Sequence, residues 1–189
     1  MKTILFVVEN RDDVRLQYAK QLVHLAWNRW VDGINFWEGQ RKTIWFTRRE
    51  MVKKVLNDPN YKEATHFLFI DTDVIMDLSK GDFIKTLHKG LEQGYDGISG
   101  YYCDTDGRPC NRQESGVPLL APNGIYELPV ISMGLSLWKR EVWENIEYLQ
   151  PDPIEKLDAD AEFFKEVRKK YKIGTDFSVR GSHLLVAPF

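Results

Sequence analysis

Two carboxylates, Asp71 and Asp73, follow directly on the apolar run Phe67-Leu68-Phe69-Ile70, with only Thr72 between them. Like charges that close repel one another unless something positive lies between them. A divalent cation bound to phosphate oxygens meets that need, since Mg2+ and Mn2+ take one or two carboxylates and complete their shell with substrate oxygens. The competing reading is a polar pair that ends a strand and begins a turn, and for an arbitrary Asp-x-Asp it is the better one. Here the position after a buried run, near the middle of the chain, favours a site. Two further groups have suitable chemistry. Arg48 and Arg49 stand at the start of an expected helix, where an arginine does nothing for the macrodipole. Pairing with an anion and a solvated surface account for them equally well. Asp158, Asp160 and Glu162 cluster ahead of Phe163, where carboxylates cap a helix.

These groups need a frame. The run from Phe67 to Ile70 reads as a strand buried on both faces, and ligands of open α/β sheets gather at the carboxyl ends of such strands. Residues two apart in an extended chain point the same way, so Asp71 and Asp73 share a face if the extension persists through Thr72. Lys2 to Val8 is the expected first strand. Asp12 or Asp13 caps a helix with the stripe Val14, Tyr18, Leu22 and Leu25, broadened by Ala19, Val23, Ala26 and Trp30. Ile34 to Trp37 is a second strand, and Thr47 opens a helix that Asn57-Asp58-Pro59 stops. This alternation predicts a right-handed crossover and a mostly parallel sheet. Ile84, Leu87 and Leu91 mark a helix ending at Gly94, and Gly97 to Tyr102 is a glycine-interrupted strand. Cys103 to Asn123 has no period and reads as a lid or binding loop. Tyr126 to Ile131 and Leu135 to Trp138 are extended, and Arg140 starts a helix through Ile146. Phe163 to Tyr171 is the last helix, closed by Gly174, and Thr175 to Val179 is the final strand.

The 189 residues suffice for one sizeable core and fall short of two independent domains. With 43% hydrophobic and 29% charged residues, the composition is that of an ordinary globular protein. A net charge of −2 argues for neither nucleic acid nor an anionic membrane as partner. No run approaches the roughly 20 apolar residues of a transmembrane helix, and Thr3 to Val8 is too short for a secretory signal. A cytoplasmic protein is expected. The only cysteines are Cys103 and Cys110. A bridge between them is open, with free thiols the default in a reducing compartment, and nothing has zinc-site spacing. Tyr101, Tyr102 and Trp138 have the chemistry to stack on a sugar, but core packing explains each better.

Taken in order, the segments resemble the GT-A fold of nucleotide-sugar-dependent glycosyltransferases. Phe67 to Asp73 is similar to that fold's strand plus Asp-x-Asp. Thr47-Arg48-Arg49-Glu50-Met51-Val52 resembles its Ala-Arg-Asn-x-Leu-Val segment, with Arg49 in place of the Asn. Tyr95 to Tyr101 resembles the strand that follows, and Met133-Gly134-Leu135 through Trp143 resembles the glycine-rich turn before Arg-Arg-Glu-Val-Phe. Asp160-Ala161-Glu162-Phe163 is similar to the acceptor-side Glu-Asp-x-x-Phe, although Ala159 stands where the Glu would be. Val179 to His183 looks like the C-terminal Val-x-x-x-His. The resemblance spans nearly the whole chain, and small members from archaeal viruses and phages are similar in size. It implies one α/β GT-A domain over residues 1–189, a mostly parallel central sheet flanked by helices. Residues 1–100 would be the nucleotide-binding half and 101–189 the acceptor-side half.

The activity implied is a metal-dependent, hexosyltransferase-type transfer. The resemblance implies Asp73 as direct ligand of Mn2+ or Mg2+, Asp71 as second ligand or ribose contact, and His183 as the remaining metal ligand. Arg48 would contact the nucleotide or diphosphate, and Glu9 and Arg11 would border the nucleoside. Asp160, with Asp158 as rival, would take the acceptor's proton in an inverting reaction. The partners are then a nucleoside-diphosphate sugar and a glycan, lipid or protein acceptor. A homo-oligomer is compatible with this, and a viral origin would put the enzyme in the host cytoplasm. Other classes compete. Haloacid dehalogenase-type phosphatases also place Asp-x-Asp after a hydrophobic strand and would use Asp71 as nucleophile. Their motif follows the first strand, however, and no lysine with an acidic pair stands out downstream. A sugar-nucleotide pyrophosphorylase would need a glycine-rich basic signature after strand one. A sugar-nucleotide binder without catalysis is the third alternative, motivated by Ala159.

Overall fold

The run from Phe67 to Ile70 sends alternate side chains to opposite faces of a sheet, and the two faces carry different kinds of core. A computed structural model describes residues 2–8, 16–36, 44–76, 82–103, 107–111, 123–146 and 159–183. Within these, only the backbone is described at Val8, Leu16, Gln17, Phe36, Trp45 and residues 159–162. The strands are β1 (Thr3–Val8), β2 (Gly33–Phe36), β3 (His66–Asp71), β4 (Val74–Met76), β5 (Gly97–Tyr101), β6 (Ile125–Glu127), β7 (Leu135–Lys139) and β8 (Ile173–His183). The helices are α1 (Leu16–Ala26), α2 (Ile44–Asn57), α3 (Phe83–Glu92), α4 (Arg140–Asn145) and α5 (Ala159–Val167).

Phe67 and Phe69 join Ile4 and Phe6 on one face, under Met51, Val52 and Val55 of α2. This face is aromatic. Trp138 of β7 and Phe69 meet α4 and α5, with Phe69 and Trp143 centroids 5.0 Å apart and Trp143 and Phe163 stacked at 4.8 Å. Leu68, Ile70, Leu5 and Val7 face the other way, under Tyr18 and Leu25 of α1 and Ile84, Leu87 and Leu91 of α3. With helices on both sides no residue from Phe67 to Ile70 meets water, which is why β3 reads as an unbroken apolar run. The Trp138 indole lies across Gly97 on β5, where an added Cβ would come within 2.4 Å of the ring. Its Nε1 donates to Ser136 Oγ at 2.8 Å, which leaves the buried indole satisfied.

The strand order is β2-β1-β3-β7-β5-β8-β4, with β6 paired to β8. β1 is parallel to β2 and β3, and β5 to β8. β7 runs antiparallel to both β3 and β5, and β4 and β6 run antiparallel to β8. The sheet is therefore mixed, not mostly parallel. The reason is local: among the described residues no helix lies between β5 and β7, and without a crossover the returning strand runs the opposite way.

Other expectations also change. The chain does not stay extended through Thr72, because Thr72 and Asp73 form a turn between β3 and β4. Gly174 does not close α5. It lies inside β8, where a Cβ would come within 2.7 Å of the Tyr95 ring and 2.9 Å of the Tyr126 carbonyl. α2 begins at Ile44, ahead of Thr47. The apolar face of α1 is narrower than its sequence suggests, since Val23 is 61% exposed and Ala26 is also exposed while Tyr18 and Leu25 are fully buried. Asp12, Asp13, Val14 and Trp37 lie outside the described residues. Cys103 and Cys110 form no disulfide, and Cys103 pairs with Pro109 through a backbone bridge. No helix among the described residues is long and apolar enough to cross a membrane.

Candidate functional site

Asp71 is the last residue of β3, and its surroundings come from two directions. Its N–H donates to the Gly134 carbonyl at 3.0 Å. A Cβ on Gly134 would lie 2.4 Å from Asp71 Oδ2 and 2.5 Å from the Tyr102 hydroxyl, so this close approach needs a glycine. From the other side, one terminal nitrogen of Arg48 donates to both carboxylate oxygens, at 2.9 and 2.7 Å. Arg48 is only 2% exposed, which overturns a solvated helix face as its role. Arg49 is turned elsewhere, with Nε 3.1 Å from Glu50 and its guanidinium over the Phe46 ring.

Because the chain turns at Thr72, Asp73 meets a different partner. β4 pairs with β8 in the register Val74↔His183, which brings the end of β8 beside Asp73. β8 reaches that far through an irregularity against β5: Gly100 opposes Asp176, but Tyr101 opposes Arg180. Asp176 holds the bend, its Oδ1 accepting from the N–H and hydroxyl of Ser178 at 2.9 and 2.5 Å. His183 Nδ1 then lies 4.0 Å from Asp73 Oδ2. That nitrogen is buried and has no hydrogen-bond partner. The His183 ring stacks on Tyr102, with centroids 5.0 Å apart and an interplanar angle of 27°.

Helix α1 supports the same corner. Gln21 Nε2 donates to the Val74 carbonyl at 3.0 Å, and its Oε1 accepts the Met76 N–H at 2.7 Å. Tyr18 donates to the Ile70 carbonyl at 3.4 Å. Burial pushes its phenol pKa up, and the charges of Asp71 and Asp73 push it further, so the ring sits within the field of both acids.

Two groups with the chemistry of metal ligands face one another at this corner. An orphaned, buried imidazole nitrogen and a carboxylate oxygen 4.0 Å away are too far apart for a hydrogen bond, and they are the nitrogen and oxygen donors that manganese-like cations accept. Among the described residues no group of three His, Cys, Asp or Glu side chains could hold a metal. A cation here would therefore draw most of its shell from substrate oxygens and water, the usual arrangement for one bound with a diphosphate.

Four of the expected site residues come together as two pairs, Arg48 with Asp71 and Asp73 with His183, joined through Thr72. Glu9, Arg11 and Asp158 lie outside the described residues. Asp160 is in the first turn of α5, with its backbone alone described. Three supporting residues escaped the sequence reading: Tyr18, Gln21 and Gly134 in its role as cradle for Asp71. The one visible signal was Gln21, a polar residue beside the apolar stripe of α1. Tyr102 packs on the His183 imidazole, Trp138 is fully buried, and Tyr101 stacks on Phe177 at 5.0 Å.

No protein-family model matches the sequence, and no curated protein matches it. Solved structures do. A197 from STIV superposes with a TM-score of 0.74 at 20% identity, over 98% of this chain and 87% of that one. GalNAc-T7, solved with UDP, GalNAc and Mn2+, superposes with a TM-score of 0.57 at 13% identity. That match covers 96% of this chain and 43% of GalNAc-T7, so this chain spans less than half its length. Identities this low speak to the fold alone. The fold is GT-A-like and is shared with a viral protein.

Proposed function

We propose that the protein is a metal-dependent glycosyltransferase that moves a sugar from a nucleoside-diphosphate donor to a glycan, lipid or protein acceptor. The observation that carries this is the partnerless His183 Nδ1, buried 4.0 Å from Asp73 Oδ2 on a GT-A-like fold. The UDP and Mn2+ bound by GalNAc-T7 support the same donor class. Asp73 and His183 would hold the cation, which would offset the charge that builds on the departing diphosphate. Arg48 holds Asp71 so that its carboxylate keeps one orientation, whether toward the cation or toward the ribose. Glu9 follows Val8, the register partner of Asp71, so Glu9 and Arg11 would border the nucleoside from the neighbouring strand end. Asp160, or Asp158 before it, would accept the proton of the acceptor hydroxyl, and a helix N-terminus favours its ionised form.

A phosphatase reading would need Asp71 as nucleophile. The Arg48 contact to both of its oxygens counts against that. The test is a thermal-shift screen of nucleotide sugars with Mn2+ and with chelator. One donor should give a metal-dependent shift that Asp73→Asn abolishes. No shift with any nucleoside diphosphate would sink the reading, and a shift without donor hydrolysis or transfer would mark a silent binder.

A further inference from the structure

We propose that Tyr102 is a positioning residue for the cation corner, holding the His183 imidazole with Nδ1 toward Asp73; this rests on the metal-dependent reading above. His183 needs such a device. It is the last residue of β8 and belongs to a ladder of only three register pairs with β4. A metal-ligating histidine ordinarily has its ring fixed by a hydrogen bond on the nitrogen that does not bind the metal. Among the described residues neither ring nitrogen of His183 has a hydrogen-bond partner. The Tyr102 stack, at 5.0 Å and 27°, takes that place: it fixes the plane of the imidazole and leaves both nitrogens available.

Tyr102 is itself held on both sides. It is buried, and its backbone carbonyl accepts the Cys110 N–H at 3.0 Å. Its hydroxyl accepts the Gly134 N–H at 3.1 Å, and the Gly134 carbonyl accepts the Asp71 N–H at 3.0 Å. One side chain therefore ties the His183 ring to the peptide that cradles Asp71. The ring of Tyr102 sets the imidazole plane, and its hydroxyl sets the distance to β3. Removing the hydroxyl alone and removing the whole ring should have different consequences.

The experiment uses the full chain with histidine labelled in nitrogen-15. In the metal-free wild type the His183 ring protons should be shifted upfield by the Tyr102 ring and show one set of ring signals. Tyr102→Phe should keep that pattern, and Tyr102→Leu should lose the shift and average the ring signals. Titration with Mn2+ in the presence of UDP, followed by electron paramagnetic resonance, should show affinity at least tenfold weaker in Tyr102→Leu and within about threefold of wild type in Tyr102→Phe, in line with losses of supporting contacts at metal sites. If His183→Ala abolishes Mn2+ binding while Tyr102→Leu binds as wild type, the positioning role is overturned and the metal reading stands. If the wild type binds no Mn2+, both fall. Should Tyr102→Leu not fold, the wild-type spectrum still decides, because His183 protons at random-coil positions rule out the stack.

Discussion

Arg48 and Asp71 form an ion pair sealed from water, one guanidinium nitrogen meeting both carboxylate oxygens at 2.9 and 2.7 Å. Two residues on, Asp73 faces His183 across 4.0 Å, and the imidazole nitrogen is left open. One motif thus meets an arginine through its first acid and, through its second, stands near an imidazole nitrogen that has no hydrogen-bond partner. The difference arises at Thr72, where the chain turns.

Breaking the closed pair should be costly. Arg48→Met leaves the Asp71 carboxylate buried without its counter-ion, and removing one partner of such a pair costs about 3–5 kcal/mol. Urea unfolding should show a loss of that size, with much of it recovered in the double variant Arg48→Met, Asp71→Leu. A loss below about 1 kcal/mol in Arg48→Met would mean that water reaches the pair.

Asp73 and His183 should behave in the opposite way. Asp73→Asn and His183→Ala should leave the metal-free melting temperature within a few degrees of wild type. Both should abolish the Mn2+-dependent shift with a nucleotide sugar. Isothermal calorimetry with Mn2+ and UDP checks this directly, and undiminished binding in either variant would remove that residue from the cation site.

Gly134→Ala tests the cradle. Its new methyl would stand 2.4 Å from Asp71 Oδ2 and 2.5 Å from the Tyr102 hydroxyl, both held by other contacts. Overpacking of this kind costs about 1–3 kcal/mol, and here it should also displace both acids and lower donor affinity. Gly97→Ala is the comparison, since it meets the Trp138 ring at 2.4 Å, away from the acids. It should destabilise the fold without changing Mn2+ affinity per folded molecule.

Stability should fall in mild acid because of two histidines at the opposite end of β3. His66 and His88 stand edge to face at 5.0 Å, and His88 Nε2 is 3.2 Å from Thr3 Oγ1. Burial pushes both imidazoles down to about 4; His88 assists for His66, while Asp82 and Asp32 partly oppose the shift for His88. With folded pKa values below the unfolded value near 6.5, the unfolded chain takes up protons first as pH falls. The contribution is therefore intact above about pH 6.5 and is lost progressively down to about pH 4. Melting temperatures measured between these limits should drop, and His88→Gln should flatten the slope. An unchanged slope in that variant would exclude His88 as a source.

Much of this was legible along the chain. β1, β3, α3 and β7 followed from apolar runs and turn residues, because short-range sterics and a two-sided core leave such segments little choice. The Asp-x-Asp stood out for a similar reason: charges are excluded from a strand buried on both faces and reappear where it ends. The strand directions of β4, β6 and β7 were not legible, because pairing depends on where the chain returns rather than on its residues. The same holds for Gly174, whose place inside β8 answers to Tyr95 in the connection between α3 and β5.

Local composition settles that two acids leave the sheet at Asp71 and Asp73, since hydrophobic burial and backbone geometry act over neighbouring residues. Which acid meets the arginine and which the histidine is a matter of long-range placement. Arg48 arrives from α2 and His183 from the far end of β8, 110 residues beyond Asp73. Only the packed sheet, with its turn at Thr72 and its Val74↔His183 register, brings those groups within reach of each other.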